Sequence, residues 1–167
     1  MNNQGAFDIA LLHLLNQGHR SVSASGRSQL RSLRGDKSAI GALIPDHLYV
    51  KSMEGMVVRQ LVTTHGPDFD PLRAHFSGVA LPLLTELQDL HDRTGECLPS
   101  LFREIVLAGG LRIARMFGLS VRLLRLWSAY RKLGGPRVET QKASVVVERA
   151  GGGALRYPRE ADASAVI

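Results

Sequence analysis

The residues best suited to chemistry are an adjacent pair, His91-Asp92, and a single cysteine, Cys97. Adjacent His-Asp pairs occur in metal-dependent phosphohydrolases, whose sites need further His and Asp ligands from separate helices. The remaining candidate ligands fit no such spacing: His65, His75, Asp89 and Asp46. His91 follows Leu87 by four residues on an apolar helical stripe, which predicts a buried histidine bonded to backbone. We therefore predict no catalytic residue, no metal and no cofactor.

The strongest functional signal lies in a basic segment, residues 111–130, which reads LRIARMFGLSVRLLRLWSAY. Helix-turn-helix units show a small residue, a glycine four positions later and an apolar residue six positions beyond it. Ala114, Gly118 and Leu124 fit that spacing, and Ser120 would cap the recognition helix. The cations expected to face phosphates or guanine edges are Arg112, Arg115, Arg122, Arg125, Arg131 and Lys132.

The same segment has a second interpretation, because any amphipathic helix pair joined by Gly-Leu-Ser satisfies much of this pattern. Leu123 and Trp127, with Leu124 and Leu126, form an apolar surface that could bind a partner helix or a second copy of the chain. Packing or protein–protein contact therefore competes with DNA binding as the role of this segment.

Three further motifs occur in order along the first part of the chain. They are KSAIGALIPDHLY at residues 37–49, Met-Glu-Gly at residues 53–55 and LQDLHD at residues 87–92. Together they resemble a family of small bacteriophage and bacterial proteins, in which a KCAVGCLIPDE-Y segment precedes a MEG or FEG turn and an LQ-HD helix. The resemblance covers residues 7–120 and implies a compact helical domain of phage or prophage origin.

The chain departs from that family pattern at several places. Ser38 and Ala42 stand where the family has cysteines, so any metal or redox role of those cysteines is absent here. The segment of residues 31–36 is shortened, and residues 121–167 have no counterpart. The resemblance thus supplies an expectation for fold and origin but none for chemistry.

The physical interpretation of the matched motifs is mainly structural. Gly41 is small enough for a close helix approach, and Leu43 and Ile44 are expected to be buried. Asp46 should bond local backbone amides in the turn after Pro45, and Glu54 should begin the next helix.

Apolar residues at helical spacing, bounded by Gly and Pro, predict an all-α fold, a small helical bundle. The predicted helices are 7–15, 36–43, 57–62, 72–76, 83–90, 100–117 and 120–133, with an exposed loop at 19–35 and a kink or break at Gly109-Gly110. Residues 1–120 are assigned to the helical domain, 121–133 to a basic amphipathic helix and 134–167 to a Gly-rich flexible extension with a β-hairpin.

The positive charge is concentrated at one end of the chain. Residues 1–99 carry nine Lys/Arg and ten Asp/Glu, whereas residues 100–167 carry twelve and five. Such asymmetry favours contact with nucleic acid or an anionic protein surface, although a solvated arginine-rich helix face would look the same. One cysteine excludes an intrachain disulfide, and no apolar run approaches the length of a membrane span.

Two functional hypotheses follow. The first is a non-enzymatic helical interaction protein, a phage-derived accessory or inhibitor in the cytoplasm, which binds a protein partner or itself and no membrane. The alternative is a helix-turn-helix protein that binds double-stranded DNA. They differ in whether the arginines of residues 112–132 form a continuous exposed face beside a free recognition helix.

Overall fold

The computed structural model describes residues 1–132, and the all-α prediction is confirmed for them. The predicted β-hairpin and Gly-rich extension lie outside the described residues. The helices are α1 (Asn3–Gln17), α2 (Ala39–Leu43), α3 (Val58–Thr63), α4 (Asp70–Phe76), α5 (Leu81–Arg93), α6 (Pro99–Phe117) and α7 (Arg122–Lys132), with short 3-10 turns at Asp46–Leu48 and Lys51–Met53. Within residues 1–132, no helix is long and apolar enough to cross a membrane.

Helix α1 is the centre of the fold. Asn2 caps its first turn, since the side chain accepts a hydrogen bond from the Gly5 amide, and Gly18 ends it in the left-handed conformation at φ 77°. Six of its side chains are completely buried, namely Ala6, Phe7, Ala10, Leu11, Leu14 and Leu15. Helices α2, α5, α6 and α7 all pack against α1, so one core serves the whole described chain.

The segment between α1 and α2 was predicted to be an exposed loop, and only its two tips are exposed. Two tight turns follow each other, closed by antiparallel bridges between Val22 and Ser28 and between Arg31 and Lys37. The stretch between the tips is tied down, because Leu30 is 6% exposed and its carbonyl accepts the Ser38 amide at 2.9 Å. We call residues 19–38 the double-turn segment.

Helix α6 runs through Gly109-Gly110 without the predicted break. These glycines are sites of close packing: a Cβ on Gly109 would collide with the Leu90 side chain of α5, and one on Gly110 with Leu11 of α1. The unfavourable helix propensity of two glycines is therefore offset by the approach of two neighbouring helices.

Candidate functional site

Gly118 ends α6 and begins the turn that leads into α7. Gly118 lies at φ 63° and its amide donates to the Ala114 carbonyl, as does the Leu119 amide at 2.8 Å. Ala114 is 2% exposed, so the chain reverses around a small buried residue. The side chain of Gln4 then holds Ser120, accepting from its amide at 2.8 Å and donating to its carbonyl at 3.1 Å.

The inner face of α7 packs on the central helix. Leu124 is 3% exposed, and the Cβ position of Gly110 lies near both Leu124 and Leu11. The indole nitrogen of Trp127 donates to the Asn16 carboxamide at 3.0 Å, at the far end of α1 from Gln4. Leu124, named in the sequence analysis as part of the apolar surface, is therefore a core residue, and Trp127 is half-buried against α1.

The six predicted cations differ in what their side chains contact. Arg112 forms an ion pair with Glu86 of α5 at 2.6 Å, and the Arg131 guanidinium lies over the Trp127 ring at 5.7 Å. Arg115 is exposed on α6. The remaining three, Arg122, Arg125 and Lys132, are exposed and share one face of α7, with Ala129 between them. We call these four α7 residues the basic row.

An apolar stripe lies beside the basic row on α7. Leu123, Leu126 and Tyr130 are 37%, 56% and 54% exposed, and their spacing places them on adjacent turns of one face. Leu123 and Leu126 were predicted to be part of an apolar surface and Tyr130 was not, although Tyr130 follows Leu123 by seven residues, which is a helical spacing. The exposed surface of α7 thus combines positive charge with three large apolar side chains.

The second cluster surrounds His91 and is structural. His91 is completely buried, and its Nε2 accepts the Ser21 amide at 3.0 Å, as expected of a histidine bonded to backbone. Because a backbone amide can only donate, the ring hydrogen lies on Nδ1, which is 2.9 Å from an Asp92 carboxylate oxygen. Both ring nitrogens are therefore occupied. Among residues 1–132 no group of three or more His, Cys, Asp and Glu could hold a metal ion.

Asp92 accepts from further donors and links α5 to the double-turn segment. Its Oδ1 accepts from Ser28 at 2.6 Å and from Gln88 at 3.0 Å, besides His91. Burial raises the pKa of Asp92, but these hydrogen bonds together outweigh it, and the pKa lies below its ordinary 3.8. Gln88 in turn accepts from the Ser38 hydroxyl at 3.0 Å, which joins the LQDLHD helix to the cap of α2.

Glu54 holds the double-turn segment from the other side. Its two carboxylate oxygens accept the amides of Leu30 at 2.9 Å and Arg31 at 2.8 Å, and the Tyr49 hydroxyl at 2.7 Å. Burial, and then the hydrogen bond to Glu54, raise the pKa of Tyr49 to about 12. The prediction that Glu54 begins the next helix is wrong, since α3 starts at Val58 and Glu54 serves as a clamp.

The prediction for Asp46 is also corrected. Its carboxylate accepts from the guanidinium of Arg31 at 2.8 Å and the ammonium of Lys37 at 3.0 Å, rather than from local amides. Arg31 also stacks over the Tyr49 ring at 4.3 Å. The three motifs of the sequence analysis therefore converge, and all of them hold the double-turn segment.

The lowered pKa values of His13 and Asp92 predict a loss of stability in acid. Burial, the largest cause, lowers the pKa of His13 below its ordinary 6.5, so the unfolded chain takes up that proton first as the pH falls. Stability therefore declines from about pH 6.5 downward, and further below about pH 3.8, where the unfolded chain protonates Asp92 first. Melting temperatures measured from pH 8 to pH 3 should follow this course. His13→Gln should flatten the decline just below pH 6.5, and an unchanged slope would contradict the assignment.

No family model, curated protein or solved structure matches this chain, so its site is interpreted from its own geometry.

Proposed function

We propose that this chain is a non-enzymatic interaction protein that binds double-stranded DNA through the outer face of α7. The observation that supports this most is the basic row, in which Arg122, Arg125 and Lys132 are all exposed on one face of a helix anchored from behind. Residues 111–132 contain six Lys/Arg and no Asp/Glu. No carboxylate of this segment therefore competes with phosphates for the row.

The surroundings of α7 favour a recognition helix. Its inner face is fixed by Leu124 and Trp127, and its start by Ser120, so the outer face is presented on a rigid support. A helix-turn-helix protein reads the major groove with side chains from the exposed face of its second helix. Arg122 and Arg125 lie near the start of α7, where the recognition helix contacts base edges.

The DNA-binding hypothesis requires a continuous face of exposed arginines beside a free recognition helix, and residues 112–132 fulfil this requirement only in part. Helix α7 packs against α1, yet Arg122 and Arg125 lie three residues apart on the exposed side. Arg112 is engaged by Glu86 on the α5 side of α6. The proposed DNA-binding set is therefore Arg122, Arg125 and Lys132.

The test is binding of the purified chain to random duplex DNA across a salt series. We expect the logarithm of the affinity to fall steeply with the logarithm of salt. On random DNA both arginines would contact phosphates, so Arg122→Ala/Arg125→Ala should reduce the slope by about two. The matched control is Arg34→Ala/Arg59→Ala, which removes two exposed arginines elsewhere and changes the net charge equally. Absence of binding at low salt, or equal losses in both double variants, would reject the proposal.

A protein partner is the second candidate, and the apolar stripe favours it. Leu123, Leu126 and Tyr130 expose more apolar surface than a helix that contacts only phosphates requires. In this case the chain acts as a phage-derived accessory or inhibitor protein. A photo-crosslinking residue at Leu126 should then trap one defined partner in cells, whereas the same residue at exposed Val57 should not.

A further inference from the structure

The outer face of α6 carries a self-complementary pattern that none of the preceding roles uses. It consists of Leu101, Glu104, Ala108, Leu111 and Arg115, which lie three or four residues apart along 15 residues of one helix. All five are exposed, with Leu101 and Leu111 at 48% and 47%. Within residues 1–132, neither Glu104 nor Arg115 has an ion-pair or hydrogen-bond partner for its side chain. We call these five residues the α6 outer face.

The α6 outer face is complementary to a second copy of itself that runs in the opposite direction. Glu104 lies four residues before Ala108, and Arg115 lies four residues after Leu111. When two antiparallel α6 helices meet so that Ala108 faces Leu111 of the partner subunit, Glu104 faces Arg115 of the partner subunit. A twofold axis repeats both contacts, so the pairing places two large residues against two small ones and forms two ion pairs.

We infer that the chain forms a twofold dimer through antiparallel packing of the α6 outer face. The partner is a second copy, because the charges on this face are complementary to the same face reversed and the small Ala108 accommodates Leu111 of the partner subunit. One helix face is smaller than a standard interface, so we expect a weak dimer that forms only at high protein concentration.

The dimer is independent of what α7 binds. The residues of α6 that face α5, α1 and α7 lie on other sides of the helix, as shown by the contacts of Gly109 and Gly110. Arg112 borders the α6 outer face and is held by Glu86 of α5. Arg115, which is outside the proposed DNA-binding set, would be engaged by Glu104 of the partner subunit. A chain that dimerises but binds no DNA would reject the proposed function and leave this inference intact.

The test is a charge exchange followed by analytical ultracentrifugation of the full chain from about 1 to 200 µM, because a small interface associates only at high concentration. Glu104→Arg and Arg115→Glu should each weaken dimerisation at least about tenfold, because each places two like-charged pairs in the interface. The double variant Glu104→Arg/Arg115→Glu should restore the dimer, which a general loss of folding cannot do. Arg59→Glu, an exposed charge reversal on α3, should leave the dimer unchanged.

Three results would overturn the inference: a wild-type chain that stays monomeric at about 200 µM, a dimer that both single reversals leave unchanged, or a double variant no better than the singles. Lowering the ionic strength should strengthen the wild-type dimer and weaken both single variants, which separates charge pairing from apolar association.

Discussion

Gly41→Ala is expected to destabilise the chain by at least about 3 kcal/mol, although the same change in an open helix stabilises by about 1 kcal/mol. Gly41 is buried in α2, and an added Cβ would collide with the backbone carbonyl of Leu30. That carbonyl accepts the Ser38 amide at 2.9 Å, so it cannot retreat without losing the bond that begins α2. The added Cβ would meet backbone atoms, so no flexible side chain can move to relieve the collision.

Chemical denaturation followed by circular dichroism measures this effect, with Gly109→Ala as the matched control. The nearest atoms that a methyl group at Gly109 would meet all belong to the Leu90 side chain, which can change rotamer. We therefore expect Gly109→Ala to cost less than Gly41→Ala. A Gly41→Ala chain as stable as the wild type would show that the double-turn segment can move away from α2. Equal losses in the two variants would show that the Leu90 side chain cannot adapt to the methyl group at Gly109.

The helices were predictable because their signals are local. The stripe from Phe7 to Leu15 ends at Gly18, and Gly118 ends α6, each in the left-handed conformation that favours glycine. The error at Gly109-Gly110 came from the same local reasoning. Intrinsic propensity predicts a weak point there, and only the approach of Leu90 and Leu11 explains why the helix continues.

The polar clusters could not be predicted, because their partners are far apart in sequence. Ser21 bonds His91 across 70 residues, and Glu54 bonds Leu30 across 24. Each motif taken alone suggested a local role, such as a turn for Asp46. Glu54 and His91 belong to two of the motifs recognised in the sequence. That both bind the double-turn segment is visible only in the structure.

In the candidate site, the residues of the turn were predictable from the sequence, and the surroundings of the cations were not. Helical period and turn chemistry indicated a small residue at Ala114 and a turn at Gly118, because these depend on local geometry alone. Leu124 was also assigned to the apolar binding surface, yet it is buried. The environment of each cation was not predictable, since Glu86, which engages Arg112, lies 26 residues away on another helix. The residues of the basic row are exposed because the opposite side of α7 packs on α1, and the sequence alone does not show which side packs.

Glu54→Ala is the second change expected to have a large effect, with a loss of about 3 kcal/mol. The substitution leaves three donors without an acceptor: the amides of Leu30 and Arg31 and the hydroxyl of Tyr49. Each partly buried donor left unpaired costs about 1–3 kcal/mol, reduced where water can enter. Glu54→Gln is the matched control, because it keeps the shape and one acceptor oxygen, and it should lose about half as much.

Amide hydrogen exchange distinguishes this clamp from a general contribution to stability. In Glu54→Ala the amides of Leu30 and Arg31 should lose protection together with Ser21 and Ser38, whose bonds depend on the same segment. Amides in the middle of α1 should stay protected, because Leu11 and Leu14 are packed by α5 and α6 as well. Uniform loss of protection along the chain would mean that the double-turn segment and the helical core unfold as one unit. In that case Glu54 would stabilise the whole fold and not a separable segment.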